Sequence, residues 1–286
     1  MLSMKNESMT LLIMAGGASS RMKRSLQDST LTDTLKKQAQ SVHKSLIPLG
    51  SKQRPLLYYL LKNALEAGDR NIYMITSPEN SAFIHQIDTW KQQQIFVDAT
   101  FRFAVQTLPP NREKPLGTAD AVAQALEHYP ELQNTQFTVC NGDNLYSTEV
   151  FKRLKEPREA PHALISYARS GLNFSDERIA KFAVMDIDPA GFLKNIIEKP
   201  EPSEVDQYRD ATDEIRVSMN IFSFEGALLY PFLKNCPIHP ERNEKELPEA
   251  LRLMNTAHPK TTVCLPVKEH LPDLTSAEDI SKFDVD

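Results

Sequence analysis

The sequence predicts an α/β fold. Short apolar runs alternate with amphipathic stretches along the chain, as expected for strands that alternate with helices. The first run, residues 9–15, is continuously apolar and stops at a pair of glycines, which favours a strand buried on both faces. The chain has 286 residues, enough to bury a sizeable core, and one α/β domain of this length is ordinary. We therefore predict a single domain over residues 1–286.

The remaining elements follow in the same alternating order. Pro55 opens a run whose apolar residues have helical spacing, and Gly68 stands where such a helix would end. Residues 181–198 predict a β-hairpin with its turn at 189–191. Periodicity places the other strands at 71–76, 101–106, 136–140, 215–224 and 261–267, and the other helices at 81–93, 118–128 and 226–234.

Two polar segments interrupt this order. Residues 22–42 and 201–213 are predicted as insertions or lids, because each is polar and follows a candidate functional motif. The apolar residues of the first segment have the spacing of a short amphipathic helix. The sequence shows no hexapeptide repeat, so we expect no C-terminal β-helix domain.

Composition argues against several classes of protein. The net charge is −5, which disfavours a broadly basic nucleic-acid-binding surface. The three cysteines lie far apart without metal-ligand spacing, as expected for reduced thiols in a reducing compartment. No segment is long and apolar enough to span a bilayer, and the first residues lack the features of a secretory signal. We expect a soluble cytoplasmic protein with neither nucleic acid nor a membrane as its partner.

A glycine-rich segment follows the first predicted strand. Paired glycines let the backbone approach a ligand and turn its N–H groups toward an anion, and an arginine suits a phosphate. The segment is neither a G-x-G-x-x-G dinucleotide motif nor a Walker P-loop, and no helical pattern begins directly after it. A tight turn with a surface arginine would explain the same residues. Its candidate ligand-binding residues are Ala15, Gly16, Gly17, Ser20 and Arg21.

Two further motifs precede predicted elements. Lys44 comes just before a short apolar segment and would project into a site at the edge of the sheet, although a solvated lysine is the commoner explanation. The turn at 115–121, which contains Gly117 and Thr118, opens a helix whose N-terminus favours an anion. Thr118 would equally serve as an ordinary helix cap.

Two more motifs follow predicted strands. Asp143 lies at a strand end, where open α/β sheets bind their ligands, and it is a candidate metal ligand. The surrounding N-G-D-N sequence is also a good plain turn. Glu198 and Lys199 are adjacent at the end of another strand, so at most one of them points into a pocket unless the strand ends there.

The order and spacing of these motifs resemble the sugar-phosphate nucleotidylyltransferase family, the NDP-sugar pyrophosphorylases. The similarity extends from about residue 9 to residue 280, essentially the whole chain. The residues that match the family motifs are Gly16, Gly17, Ser20, Arg21, Met22, Lys44, 55–57, Gln106, 116–119, 142–144, 198–200, Asn220 and 273–279.

This resemblance implies a fold, a reaction and a cofactor. The fold would be a Rossmann-like, GT-A-like variant with a mixed, mostly parallel central sheet flanked by helices. The reaction would join a nucleoside triphosphate to a sugar 1-phosphate, giving an NDP-sugar and pyrophosphate, with Mg²⁺ as the cofactor. The partners would be the triphosphate and a phosphorylated small molecule.

The resemblance also implies a role for each matching residue. The catalytic residues would be Arg21 and Lys44 on the triphosphate, Asp143 on the metal ion and Lys199 on the sugar phosphate. The nucleotide-binding residues would be Ala15, Gly16, Gly17, Ser20, Gln106, Gly117 and Thr118. The sugar-binding residues would be Glu198, Asn220 and Ala183, and Asp273 would be a second metal ligand.

Some features depart from the family pattern. About twenty residues, 23–42, lengthen the connection between the glycine-rich segment and the lysine motif, and His43 stands where proline is usual. A phenylalanine and Ala183 replace a tyrosine–glycine pair, and Thr275 replaces a glycine in the late motif.

Two alternatives remain open. The same reaction could act on a non-sugar acceptor such as phosphocholine or a polyol phosphate. The chain could instead be a catalytically silent, nucleotide-binding regulatory protein. The second alternative predicts the loss of a metal-binding aspartate or a phosphate-binding lysine, and Asp143, Lys44 and Lys199 are all present.

Overall fold

Strands and helices alternate along the computed structural model, which describes residues 9–110, 112–198 and 200–283. The strands are β1 (Met9–Met14), β2 (Pro48–Leu49), β3 (Arg54–Pro55), β4 (Asp69–Thr76), β5 (Thr100–Val105), β6 (Gln136–Asn141), β7 (His162–Ala168), β8 (Val184–Ile187), β9 (Leu193–Ile197), β10 (Arg216–Glu225) and β11 (Thr262–Val267). The helices are α1 (Ser20–Ser25), α2 (Asp33–Ser41), α3 (Leu56–Glu66), α4 (Ser81–Gln92), α5 (Thr118–His128), α6 (Thr148–Arg153), α7 (Asp176–Ile179), α8 (Gly226–Lys234), α9 (Leu247–Ala257) and α10 (Ala277–Lys282).

The chain divides into two compact units. The first unit comprises Met1–Val105, Asn141–Phe151 and Leu271–Asp286, and the second comprises Gln106–Cys140 and Lys152–His270. The single domain expected from the sequence stays a prediction.

In the first unit, parallel strands carry the segments that follow them to one edge. β4 pairs in parallel with both β1 and β5, with Leu11 opposite Ile72 and Ile72 opposite Phe101. Leu11 and the next two residues of β1 are fully buried, as the apolar run predicted. The apolar face of α3 is also buried, and Gly68 after it has a φ of +103°, which confirms the predicted helix end.

In the second unit, one strand runs against its neighbours. β6, β7 and β11 share a direction, and β10 lies antiparallel between β6 and β7. The predicted hairpin is confirmed by antiparallel pairing of β8 with β9. Asp188 closes its turn, because its Oδ1 accepts hydrogen bonds of 2.9 Å from the N–H groups of Ala190 and Phe192. The predicted class, a mixed and mostly parallel α/β fold, is therefore confirmed.

The structure differs from the sequence prediction in several elements. Those not predicted are the strands β3 and β7 and the helices α6, α7, α9 and α10, although every residue of β7 is buried. The expectation that no helix follows the glycine-rich segment directly is wrong, because α1 begins at Ser20. Ser19 adopts a left-handed conformation with a φ of +54°, which turns the chain into that helix. The predicted polar segment 22–42 contains the end of α1 and the whole of α2, and Ala39 is buried on the amphipathic α2.

The length and hydropathy of the described helices differ from what a membrane span requires. Over residues 9–110, 112–198 and 200–283, every helix is too short or too polar to cross a bilayer.

Candidate active site

The glycine-rich segment leaves β1 as an open loop in the first unit. The Ala15 N–H donates to the Ile75 carbonyl of β4 at 2.7 Å, which anchors the start of the loop. Gly17 is exposed, and a Cβ built on it would meet no atom within 4 Å. Because no described residue occupies the place of a Cβ on Gly17, the space above its backbone is available to a ligand.

Lys44 and Asp143 form an ion pair beside this loop. Lys44 begins a 3₁₀ turn after α2, and its Nζ donates to Oδ2 of Asp143, with both side chains about four-fifths buried. The Lys44 backbone N–H donates to Ser19 Oγ at 3.3 Å, which ties the lysine segment to the glycine-rich loop. The structure therefore brings together two residues that lie 99 positions apart in the sequence.

Asp273 lies next to this pair. The segments around Asp143 and Asp273 run side by side in the first unit, since Asn144 and Asp273 form an antiparallel bridge. The Leu274 N–H also donates to the Asp143 carbonyl at 2.9 Å. The Asp273 carboxylate accepts a 2.8 Å hydrogen bond from the Thr275 hydroxyl. Thr275, which stands where the family pattern has glycine, therefore restrains the Asp273 carboxylate.

The glycine before Asp143 has a packing role. A Cβ on Gly142 would lie 3.1 Å from the Met14 carbonyl oxygen and 3.2 Å from Cγ2 of Ile13, both on β1. The Gly142 N–H donates to that same carbonyl at 2.9 Å. The close approach of the turn to β1 thus explains this glycine and sets the position of Asp143.

The chemistry of these side chains fits a magnesium ion. Asp143 and Asp273 supply carboxylate oxygens, and Mg²⁺ binds few carboxylates while it keeps several waters. Asp143 already stabilises one cation, the Lys44 ammonium. No cluster of three or more candidate ligand side chains occurs within the described part of the chain, so waters and phosphate oxygens would complete the coordination.

Ser20 and Arg21 open α1 on the surface. Both side chains are exposed, and within the described residues Arg21 has no ion-pair partner. Its guanidinium is therefore available to an anion, as the sequence predicted for a phosphate contact.

In the second unit, Gln106 and Gly117 are in direct contact. The Gln106 amide donates to the Gly117 carbonyl at 3.0 Å and to the Asp120 carboxylate at 2.8 Å. Gly117 has a φ of +108°, and a Cβ there would lie 2.4 Å from the Lys245 carbonyl oxygen. Sequence reasoning missed Asp120, whose only local signal is its place in the first turn of α5.

Thr118 is the first residue of α5, and Gly117 rather than Thr118 occupies the cap position. The Thr118 hydroxyl accepts a 2.9 Å hydrogen bond from the Leu247 N–H at the start of α9. Its hydroxyl therefore joins two helices of the second unit, and its contact with a nucleotide stays a prediction.

The predicted sugar-binding residues of the second unit are Ala183 just before β8, Glu198 just after β9, and Asn220 on β10. The Ala183 carbonyl accepts from the Ser218 N–H at 3.0 Å, and Asn220 has a φ of +56° where the register of β10 is irregular. Glu198 follows β9 and pairs with Arg242 at 3.3 Å. Sequence reasoning missed Arg242, because it lies 44 residues away and no local pattern marks it. Lys199 lies outside the described residues.

His43, the residue before Lys44, has a strongly lowered pKa. Burial of the ring and the neighbouring Lys44 charge lower the pKa of His43 to about 4. The imidazole is therefore neutral at pH 7, and it adds no positive charge to the loop.

Comparison with known proteins identifies relatives that match part of this chain. A glucose-1-phosphate adenylyltransferase from Dechloromonas aromatica is 28% identical over 231 residues, which cover 78% of this chain and 47% of that protein. The bifunctional protein GlmU of Staphylococcus saprophyticus is 30% identical over 145 residues, 50% of this chain and 30% of that protein. The chain thus spans at most about half the length of these relatives.

Solved structures share the fold. A UDP-glucose pyrophosphorylase complexed with UDP-glucose aligns over 96% of both chains with a TM-score of 0.68 and 17% identity. A UTP-bound UGPase from Acinetobacter baumannii aligns over 95% of this chain and 90% of its own, with a TM-score of 0.66 and 16% identity. The family model described as nucleotidyl transferase matches residues 11–268. The chain belongs to the nucleotidyl transferase family.

Proposed function

We propose that this protein is a sugar-1-phosphate nucleotidylyltransferase, which joins a nucleoside triphosphate to a sugar 1-phosphate and releases pyrophosphate. The observation that carries the proposal is the Lys44–Asp143 ion pair, held beside the open glycine-rich loop and next to Asp273. Cations and a metal-binding carboxylate beside a loop of accessible backbone N–H groups form a site for a polyphosphate.

The reaction needs charge and placement more than proton transfer. An oxygen of the sugar phosphate forms a bond to the α-phosphorus while the bond from that phosphorus to the pyrophosphate oxygen breaks. The attacking oxygen is already an anion, so the protein need not supply a general base. The residues must instead reduce the repulsion between two polyanions.

We assign the phosphate-binding roles to residues of the first unit. The loop from Ala15 to Ser20 would bind the triphosphate through its N–H groups, and Arg21 and Lys44 would neutralise phosphate oxygens. Asp143 and Asp273 would hold Mg²⁺. When bound there, Mg²⁺ supplies positive charge to the phosphate oxygens of the triphosphate.

We assign base and sugar recognition to residues of the second unit. Gln106 and the backbone at Gly117 would bind the base. The two groups lie side by side, because the Gln106 amide donates to the Gly117 carbonyl. Glu198, Asn220 and the Ala183 backbone would bind sugar hydroxyls. Lys199 would bind the sugar phosphate, and this assignment rests only on the motif at 198–200.

The test is pyrophosphate release in the presence of Mg²⁺. Each nucleoside triphosphate is combined with a set of sugar 1-phosphates, with phosphocholine and with polyol phosphates, and the nucleotide product is identified by mass. We expect release with a sugar 1-phosphate, loss of release with a chelator and recovery on addition of Mg²⁺. The names of the relatives include both adenylyl and UDP-linked chemistry, so all four bases belong in the set.

Two results would contradict the proposal. Release with a non-sugar phosphate alone would retain the reaction and replace the acceptor. Binding of triphosphate without release from any combination would instead support a silent regulatory protein.

A further inference from the structure

The side-chain amide of Gln106, in the second unit, uses both of its protons within the protein. Its Nε2 donates to the Gly117 carbonyl at 3.0 Å and to the Asp120 carboxylate at 2.8 Å. An amide nitrogen carries two protons, so these two bonds use both of them. Within the described part of the chain no group donates to the amide oxygen, Oε1, and this atom is not fully buried. Oε1 is therefore the polar atom of Gln106 that is left for a ligand.

The two acceptors decide the orientation of the Gln106 amide. Carboxylate and carbonyl oxygens accept hydrogen bonds and cannot donate them. If the amide were turned over, Oε1 would lie against two acceptor oxygens and both hydrogen bonds would be lost. Asp120 and Gly117 therefore keep Nε2 bonded within the protein, and Oε1 remains able to accept a hydrogen bond from a ligand.

Asp120 is itself restrained by Gln124, which lies one turn further along α5. The Asp120 carboxylate accepts a second 2.8 Å hydrogen bond, from Gln124 Nε2. Gln124 Oε1 accepts from the Thr107 N–H at 2.8 Å and from the Thr107 hydroxyl at 3.0 Å, which fixes the orientation of this amide as well. Because Thr107 follows Gln106 in the chain, these bonds form a closed ring that includes both amides and the carboxylate. Asp120 also lies in the first turn of α5, where the helix dipole favours a negative charge.

Gly117 restrains the Gln106 amide less than Asp120 does. The Gly117 carbonyl also accepts from the Ala121 N–H at 3.0 Å, so Gln106 shares this oxygen with the backbone of α5. A hydrogen bond to a carboxylate is stronger than one to a neutral carbonyl. Two bonds also fix the plane of the amide, whereas one bond would let it rotate. The orientation of Gln106 therefore depends mainly on Asp120.

We propose that Asp120 is a positioning residue for the nucleoside triphosphate, which holds the Gln106 amide so that Oε1 accepts a hydrogen bond from an N–H group of the base. This inference rests on the proposed function, because it names a determinant of base recognition in the same site. Adenine, cytosine and guanine present an amino group, and uracil and thymine present a ring N–H. The arrangement therefore favours a nucleotide over a polyphosphate without a base. Asp120 acts through Gln106 and touches no atom of the nucleotide.

The experiment measures the Kd of the nucleoside triphosphate that the wild type binds most tightly, by calorimetric titration. Asp120→Ala removes the acceptor and should raise this Kd about 5- to 10-fold, the scale of one lost hydrogen bond. Asp120→Asn keeps an acceptor oxygen for Gln106 and should stay within about 3-fold of the wild type. Tripolyphosphate has no base, so its Kd should not change in either variant. Glu149→Ala removes an exposed acidic residue from the first turn of α6 and is the matched control.

A double-mutant cycle separates positioning from a structural role. If Asp120 acts only through Gln106, then Asp120→Ala should change the triphosphate Kd less than about 2-fold in a Gln106→Ala background. An equal loss of affinity in both backgrounds would show that Asp120 acts independently of Gln106 and would overturn the proposal. A loss of tripolyphosphate affinity, or an Asp120→Asn protein that binds as weakly as Asp120→Ala, would overturn it as well.

These titrations involve no turnover, so their outcome can be distinguished from that of the proposed function. The expected pattern of Kd values without pyrophosphate release would contradict the enzymatic proposal alone. Pyrophosphate release together with an unchanged triphosphate Kd in folded Asp120→Ala protein would overturn the role of Asp120 alone. A wild-type protein that binds no nucleoside triphosphate would contradict both.

Discussion

At the scale of single residues, two glycines of the candidate site have different physical reasons for being glycine. Gly17 has open space around its missing Cβ, whereas Gly117 is confined by the Lys245 backbone and has a positive φ. A glycine that the fold itself does not require suggests that a bound ligand needs the space. A glycine in a confined position is required by the fold.

The first prediction concerns Gly17. Gly17→Ala should fold with an unchanged melting temperature, since the added methyl group meets no protein atom within 4 Å. The methyl group would occupy space over the loop, so triphosphate affinity should fall about 10-fold, equivalent to ~1.4 kcal/mol. Thermal unfolding with and without triphosphate, together with calorimetric titration, measures both effects.

Gly117→Ala is the comparison for this variant. Its Cβ would lie 2.4 Å from the Lys245 carbonyl oxygen, so the substitution should destabilise the protein by about 2–3 kcal/mol. If Gly17→Ala also lowered the melting temperature, or if it bound triphosphate as tightly as the wild type, the ligand-binding explanation of Gly17 would be wrong.

At the scale of elements, the segment before β10 is held by one buried ion pair. Asp210 accepts from the Thr212 N–H and hydroxyl and from the Glu214 N–H, and its Oδ2 accepts from Arg216 Nε at 2.6 Å. Burial alone would raise the pKa of Asp210, but the bonds from Thr212 and Arg216 outweigh it and lower the pKa to about 2. This carboxylate thus ties the end of the predicted insertion at 201–213 to the start of β10.

The second prediction is therefore that Asp210→Asn destabilises the protein by about 2–3 kcal/mol at pH 7, because Arg216 is left buried without its partner charge. The folded pKa of Asp210 is lower than its ordinary value of 3.8, so the charged form stabilises the fold. That contribution is complete above about pH 4 and is lost as the pH falls toward 2. Chemical denaturation at pH 7 and at pH 3 should show a smaller difference between variant and wild type at the lower pH.

Asp206→Asn is the control for this prediction. Asp206 pairs with Arg209 at 2.8 Å, but the Asp206 side chain is largely exposed and that of Arg209 is partly exposed, so this loss should cost less than about 0.5 kcal/mol. Equal effects of the two substitutions at pH 7 would show that burial of the Arg216 pair does not matter.

The elements also show how far sequence reasoning extends. α5 and α8 have the predicted bounds, because their apolar spacing and flanking residues are local signals. β7 was missed, since a wholly buried strand has no alternation to mark it, and residues 162–168 include polar side chains. The site residue types were predicted from their motifs. The contacts of Glu198 with Arg242 and of Gln106 with Asp120 depend instead on the folded chain.

At the scale of the whole molecule, the charge of the protein and that of its proposed substrates have the same sign. The chain carries a net charge of −5, and both substrates are polyanions. The overall field therefore gives no attraction, and binding must depend on cations placed close to the phosphates. Arg21 and Lys44 are such cations in the first unit.

The third prediction follows from that dependence. Lys44→Ala and Asp143→Ala should each lower kcat/KM at least about 10²-fold, the scale of one lost electrostatic contact to a developing charge. Lys52→Ala removes an exposed lysine in the turn between β2 and β3, so it changes the net charge equally and should leave the rate unchanged. If Lys52→Ala slowed the reaction as much as Lys44→Ala, the total charge would be responsible rather than the position of Lys44. Near-normal turnover of folded Asp143→Ala would show that Asp143 does not hold the metal ion.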